Sequence, residues 1–452
     1  MDLWQFFHGP NAGYVLELYE QFKQDPAQFD ENTQAFFHHL PTLLTNGTTT
    51  EAQPYADVTA IMGVVNYATA IRNYGHLAAD LDPLGGRSPG DPELDLAYHG
   101  LTEGDLHSLP AALVGGPCAE QATTAYEAIA CLKRVYMRHR GYDYDHIRVP
   151  EERAWLRDVA EAETYHPRNM PIDRRDLLER LTHIEAFEDF LQRSFPSKYR
   201  FSIEGLDMMV PMLDEAIAGS AGKDVQNILI GMAHRGRLNV MAHVLHRPYE
   251  QILAEFVDDV TPSELEIKLG WTGDVKYHRG ETRYLTNAEG QPLKIAIPPN
   301  PSHLEAVNAV AVGMARAAGT HAEKPGEPEF APNVTMTILI HGDAAFMGQG
   351  VVAETFNLSQ LPGYWVGGTV HIIANNQLGF TTDPRDGRST LYASDLAKGY
   401  KVPVVHVNAD NPEACIEVAR LASEYVAKFG KDFVIDLIGF RRYGHNELDE
   451  PR

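Results

Sequence analysis

Apolar residues in this chain recur at helical spacing early on and in short strand-like runs later. Tyr14, Val15, Leu18, Tyr19 and Phe22 share one face of a 3.6-residue period, and Phe36 and Phe37 follow a polar connection, which predicts a short amphipathic piece. Residues 41–55, PTLLTNGTTTEAQPY, carry the Thr, Gly and Pro content of a linker. From Ile61 the pattern turns helical again, with Ile61, Val64, Val65, Ala68, Ile71 and Tyr74 on one face. Further amphipathic helices are predicted over residues 125–135 and 177–195, the latter with Leu181, Ile184, Phe187, Phe190, Leu191 and Phe195. The period changes at Tyr199-Arg200-Phe201-Ser202. Beyond it, runs of apolar and β-branched residues predict strands at 227–232, 293–297, 335–340, 370–374, 402–407 and 433–439, with helical segments between most of them. The expected fold is α/β: a helical domain, then a doubly wound, mostly parallel sheet. The expected divisions are an N-terminal arm (1–40), a linker (41–60), a helical domain (61–196) and the α/β domain (197–452). The connections 319–332 and 381–389 are rich in Pro, Gly and charge, and the second is expected to order over a bound ligand.

The 452 residues allow two or three domains with a sizeable core, and 44 % hydrophobic with 22 % charged residues is ordinary for a globular protein. A formal net charge of -24 argues against a nucleic-acid partner, which requires a basic surface. No apolar run is long enough to span a bilayer, and the opening MDLWQFFHGPNAG lacks the layout of a secretory signal, so a cytoplasmic location is expected. Cys118, Cys131 and Cys415 are too sparse for a disulfide framework or a Cys-type zinc site and are expected to be buried free thiols.

Candidate chemistry gathers at the predicted strand ends. In ILIHGDAAFMGQG, Asp343 follows a buried strand, and Gly348 and Gly350 permit close backbone approach to a ligand before a helix over 351–358. The strand at 370–374 delivers Asn375 and Asn376 at its own carboxyl end, where open α/β sheets bind ligands. A carboxylate and a carboxamide are hard oxygen donors and suit Mg²⁺. Gly-Asp and Asn-Asn turns also occur in ordinary loops for backbone reasons. GMAHRGRLNV places His234 and Arg235 after another strand, GDVKYH contributes His278, and NPSHLE contributes Ser302 and Leu304. Arg suits a carboxylate or phosphate, and His can donate to a substrate oxygen or move a proton near neutral pH. His76 and His99, beside turns, read as capping or packing residues.

Gly342-Asp343-Ala344 followed about thirty residues later by Asn375-Asn376 resembles the thiamine diphosphate motif Gly-Asp-Gly…Asn-Asn, with alanine for its third glycine. GDAAF with NNQ, RNYGHLAADLDPLG at 72–85, LAYHGL at 96–101 and RRYGHNELDEP at 441–451 resemble the first, decarboxylating component of 2-oxoglutarate dehydrogenase, over essentially the whole chain. The resemblance implies thiamine diphosphate and Mg²⁺ as cofactors. It implies Mg²⁺ bound by the Asp343 and Asn376 side chains and the Leu378 carbonyl, and a diphosphate lined by Ala344 and Ala345. Arg235, Ser302 and Leu304 would contact the cofactor, and His234, His278 and Ser302 would hold the 2-oxo acid. His234, His278 and His445 would be catalytic, with His303 structural. The implied reaction is decarboxylation of 2-oxoglutarate in the tricarboxylic acid cycle with succinyl transfer to a lipoyl group. The implied partners are the dihydrolipoyl succinyltransferase component and dihydrolipoyl dehydrogenase, approached through the N-terminal arm, in a homodimer. No stretch resembles the pyrimidine-binding half of such enzymes, so that half is expected later in a longer chain or in a separate chain, and residues 1–452 alone are expected to be inactive. Carboligation or release of succinic semialdehyde without a lipoyl partner, and a non-catalytic half-subunit, are the alternative readings.

Overall fold

The computed structural model describes residues 21–29, 34, 37, 58–86, 88–220, 225–257, 278–286 and 290–446. Met1–Ala56 and Asp57–Arg452 form two compact units. In the first, the rings of Phe22, Phe29 and Phe37 cluster with centroids 5.2 to 6.0 Å apart. Tyr14, Val15, Leu18, Tyr19, Phe36 and linker residues 41–57 lie outside the described residues.

The second unit opens with α1 (Val58–Tyr74), α2 (Ala125–Tyr136), α3 (Pro150–Glu161) and α4 (Arg174–Ser194). Residue chemistry sets their starts. Thr124 accepts from the Glu127 amide at 3.3 Å while the Glu127 carboxylate accepts from the Thr124 amide, so two orphan donors at the head of α2 are satisfied reciprocally. Asp173 caps α4 by accepting from the amides of Arg175 and Asp176. After α5 (Met209–Ser220), the strands β2 (Asn227–Met232), β3 (Glu281–Thr286), β4 (Pro292–Ile297), β7 (Thr335–Gly342), β8 (Thr369–Asn375), β9 (Val404–Asn408) and β10 (Phe433–Ile438) join β1 (Arg140–Asp143) in one sheet. The sheet order is β1-β9-β10-β8-β7-β2-β4-β3. The six inner strands are parallel, and β1 and β3 close the edges antiparallel. α6 (Ala306–Ala318), α7 (Asp343–Gly348), α8 (Gly350–Leu358) and α9 (Pro412–Phe429) complete the elements used below.

Both faces of the sheet are covered, and strand alternation shows how. Ile372, Ile435 and Leu437 belong to the main core, whereas their neighbours Ile373 and Val434 pack with Phe346, Val352 and Phe356 on the opposite face. Strands buried on both sides read as continuous apolar runs, which is why 227–232, 335–340 and 370–374 were legible as strands. The main core also takes in Val64, Tyr67 and Ile71 of α1 and Ile129 and Leu132 of α2.

Four expectations need correction. Cys118 and Cys131 form a disulfide with Cα atoms 5.7 Å apart, and only Cys415 is a buried free thiol among the described residues. The count of cysteines concealed a local pair that the turn before α2 brings together. Residues within 319–332 form a two-stranded ribbon, β5 (Thr320–His321) with β6 (Glu329–Phe330), rather than an irregular connection. β1 lies in a stretch read as wholly helical. Asp343 opens a helix of its own, α7, before the one expected at 351. Among the described residues no helix is long and apolar enough to cross a membrane.

Candidate active site

The order of strands reverses between β2 and β7. β2 is followed in sequence by a neighbour on one side, β4, and then by β7 on the other, and such reversals open a crevice at the carboxyl ends of a parallel sheet. The predicted site residues gather on that edge, His278 by entering antiparallel β3 opposite the end of β4 and the others by leaving the parallel strands. His234 and Arg235 follow β2, residues 300–305 follow β4, Asp343 follows β7, Asn376 and Leu378 follow β8, and His445 follows β10.

Side-chain contacts connect them. His278 Nε2 and His234 Nε2 are 3.0 Å apart, and Ser302 Oγ lies 3.3 Å from the same His278 nitrogen. Phe201 stacks on His234 with centroids 5.1 Å apart and meets His445 edge-on at 5.7 Å. Phe380 also meets His445 edge-on, with centroids 4.5 Å apart. Arg235 donates to the carbonyls of Ser202 and His445, both at 2.8 Å, and so ties the β2 and β10 exits together. Asp343 is 4 % exposed, with an Arg388 guanidinium nitrogen 3.8 Å from its carboxylate. Gly379 packs so close to Ala344 that a Cβ there would fall 2.8 Å from the alanine methyl, which seats the turn carrying Asn376 and Leu378 against the start of α7. Asn376 is buried and its Oδ1 accepts from the Leu378 amide at 3.2 Å. Ala345 is buried, Ala344 and Ser302 are exposed, and Leu304 is 40 % exposed. Exposed His303 stands outside this row.

Electrostatics follow from burial. Desolvation pushes the His234 imidazole down to about 4, helped by His278, Arg237, His445 and Arg235, so the ring is neutral at pH 7. Desolvation likewise pushes the Asp343 carboxyl up to about 6, opposed by Arg388 and reinforced by Asp436.

Several residues here escaped the sequence reading. Phe201, Glu305, Gln377 and Phe380 all hold positive φ, at 52, 70, 61 and 58°, a conformation that non-glycine residues adopt under constraint and that no sequence pattern announces. Arg388 was hidden in a segment legible only as a loop. Arg237 is fully buried and donates to the carbonyls of Met232, Arg279 and Pro298 at 2.6 to 3.2 Å, clamping the exits of β2 and β4 to the residue after His278. The second arginine of HRGR was its only signal.

The carboxyl ends of this mostly parallel α/β sheet thus carry a buried carboxylate and carboxamide on adjacent strands, with a row of histidines along the same edge. A family model described as dehydrogenase E1 component matches residues 179–452, and one described as 2-oxoglutarate dehydrogenase N-terminus matches residues 5–42. The chain belongs to the dehydrogenase E1 component family. It is 48 % identical to the 2-oxoglutarate dehydrogenase E1 component of Bacillus velezensis, over 99 % of this chain and 49 % of that protein. It is 47 % identical to its counterpart in Bacillus subtilis and 45 % to that of Oceanobacillus iheyensis, with similar coverage. The chain thus spans about half the length of the curated relatives it matches.

Family membership implies thiamine diphosphate, and the residues present fit it. A Cβ added at Gly342, Gly348 or Gly350 would meet nothing within 4 Å, so there is open space at Gly342 before Asp343 and again where α7 gives way to α8. A carboxylate destabilised by desolvation is one that a divalent cation would relieve.

Proposed function

We propose that this chain supplies the metal- and diphosphate-holding half of a 2-oxoglutarate dehydrogenase first component. The observation that carries the reading is the pairing of two features on one sheet edge. Buried Asp343, next to open space at Gly342, and buried Asn376 end adjacent strands, and the His234–His278–Ser302 row lies with them at the same edge. Asp343, Asn376 and the Leu378 carbonyl would hold Mg²⁺, with Ala344 and Ala345 along the diphosphate and Arg235, Ser302 and Leu304 against the cofactor. When bound, thiamine diphosphate supplies the carbon nucleophile and the electron sink for loss of CO₂.

The chain's own residues do the rest. Neutral His234 can donate one ring proton and accept one hydrogen bond, which suits an oxo group or a carboxylate, and His278 and Ser302 extend the row. A distal carboxylate buried without donors would be costly, so this polar lining favours 2-oxoglutarate over pyruvate. His445, in edge-on contact with Phe201 and Phe380, would meet the reacting acyl group. The succinyl group would pass to the lipoyl arm of dihydrolipoyl succinyltransferase, with dihydrolipoyl dehydrogenase downstream. The working site would be completed by a pyrimidine-binding half and a second copy in a homodimer.

Calorimetric titration of the chain with thiamine diphosphate should show binding that requires Mg²⁺. Asp343→Ala should weaken it by more than about a hundredfold, beyond what losing an outer partner of a metal ligand costs. Equal affinity of wild-type and variant chains would remove the metal assignment.

A further inference from the structure

Behind the Asn375–Asn376 pair runs a row of buried polar groups that the proposed chemistry leaves unused. Asn375 Nδ2 donates to Asp436 Oδ1 at 2.9 Å, and Asn375 Oδ1 accepts from the Gln377 amide at 3.0 Å. Asp436, on β10, accepts through Oδ2 from His406 Nδ1 on β9 at 2.9 Å and from the Ser394 hydroxyl at 3.3 Å. His406 Nε2 faces Asp143 Oδ2 on β1 at 3.5 Å, and Asp143 is ion-paired with Lys398 and lies 3.8 Å from His76 Nε2. Asp436 and His406 are fully buried and Asp143 nearly so.

Two readings of this row compete. Ligating atoms of His76, Asp143 and His406 lie within 4.8 Å of one another, a spacing that a metal ion can use. However, the Lys398 ammonium already sits on an Asp143 oxygen such an ion would need, and the hydrogen bonds His406 makes to Asp436 and Asp143 raise its pKa against the opposing effect of burial. The row is therefore closed by Lys398 and its own hydrogen bonds and ends, on the candidate-site side, at Asn375.

The consequence lies in the turn that Asn375 begins. Asn375 is buried with its amide turned back into the fold, its Nδ2 on Asp436 and its Oδ1 on the Gln377 amide, whereas Asn376, one residue on, leaves the sheet at the candidate metal site. Gln377 holds φ at 61° and donates through Nε2 to Asp82 at 2.9 Å and to the Gly439 carbonyl at 3.1 Å, so the turn is fastened from outside as well. We propose that Asp436, oriented by His406, is a positioning residue for the metal-binding turn: by fixing the Asn375 amide it sets the 375–378 backbone, and with it the presentation of the Asn376 side chain and the Leu378 carbonyl. The inference rests on the reading of Asn376 and Leu378 as Mg²⁺ ligands. It divides the Asn-Asn pair into an anchor and a ligand.

The test is calorimetric titration of thiamine diphosphate into the 452-residue chain at a series of Mg²⁺ concentrations, with melting temperatures measured alongside. Asn375→Ala removes the anchor without touching the buried charges, Asp436→Leu removes the acceptor, and Asp436→Asn keeps an oxygen to accept from Asn375 Nδ2 while its new amide NH2 can donate to Nδ1 of a neutral His406. Asn375→Ala and Asp436→Leu should raise the half-saturating Mg²⁺ concentration by about tenfold or more, while Asp436→Asn stays near the wild-type chain. The proposal is overturned if Asn375→Ala keeps the wild-type Mg²⁺ requirement, if Asp436→Asn is as impaired as Asp436→Leu, or if Asp436→Leu loses only melting temperature. Should Asp436→Leu fail to fold, Asn375→Ala and Asp436→Asn decide the matter. A wild-type chain with no Mg²⁺ requirement, or an Asn376→Ala variant that binds normally, would instead remove the cofactor reading, and the inference with it.

Discussion

His234 carries its site's electrostatics in one ring. Its unfolded-state pKa is the ordinary 6.5, and in the folded chain burial, followed by the neighbouring His278 and the arginines, lowers it to about 4. Between those values the unfolded chain binds the proton and the folded chain does not, so stability falls as the solution is acidified. The contribution is fully present above pH 6.5 and is lost as pH drops through about 4. In urea denaturation, His234→Gln should therefore lose less stability than the wild-type chain between pH 7 and pH 4.5; parallel losses would mean that the ring already titrates normally. Arg237 has a different cost. Burial alone pushes its guanidinium down to about 9, and its hydrogen bonds all go to carbonyl oxygens, so it acts as a clamp on strand ends instead of as half of an ion pair.

At the scale of elements, β10 holds the candidate-site edge in register. Its exit passes so close to residue 205 that a Cβ on Gly439 would collide with the Gly205 carbonyl oxygen, and the Gly439 amide donates to the Asn375 carbonyl at 2.8 Å. Gly439→Ala should cost about 1–3 kcal/mol by overpacking, measured as a lower urea midpoint. Because the same backbone supports the Asn375 turn, Mg²⁺-dependent cofactor binding should weaken with it; a variant of full stability would show that the contact yields. The two strands of the main sheet absent from the sequence reading, β1 and β3, are its edge strands. β3 alternates half-buried and exposed residues, with Tyr284 74 % exposed, so it lacks the apolar run that marks the inner strands. β1 reads Arg-Gly-Tyr-Asp, and its charges are tolerable only because Glu163 and Glu417 reach Arg140 and Lys398 reaches Asp143 from elsewhere in the chain.

For the whole molecule, the helices before the sheet and the sheet itself share one core, and β1 pairs residue by residue with β9. The described part of Asp57–Arg452 should consequently melt in one cooperative step. Leu132→Ala in α2, at a fully buried position, should cost about 2–5 kcal/mol and lower the melting of the sheet along with the helices. A separate early transition in scanning calorimetry would show instead that α1 to α4 unfold independently.

What the sequence determined alone were the features written in short-range chemistry. Apolar runs marked the inner parallel strands, amphipathic spacing marked α1, α2 and α4, and GDAAF with NNQ marked a family whose motifs recur as contiguous strings. Tertiary structure decided whatever depends on distant residues meeting. It seated Gly379 against Ala344 and so brought the Asn376 turn to Asp343, 33 positions away in the chain. It joined Cys118 to Cys131, and it made a strand of a charged tetrapeptide by surrounding it with counter-charges. It also held Phe201, Gln377 and Phe380 at positive φ, because a residue is kept in a costly backbone conformation only by the packing around it, and that packing comes from the rest of the fold.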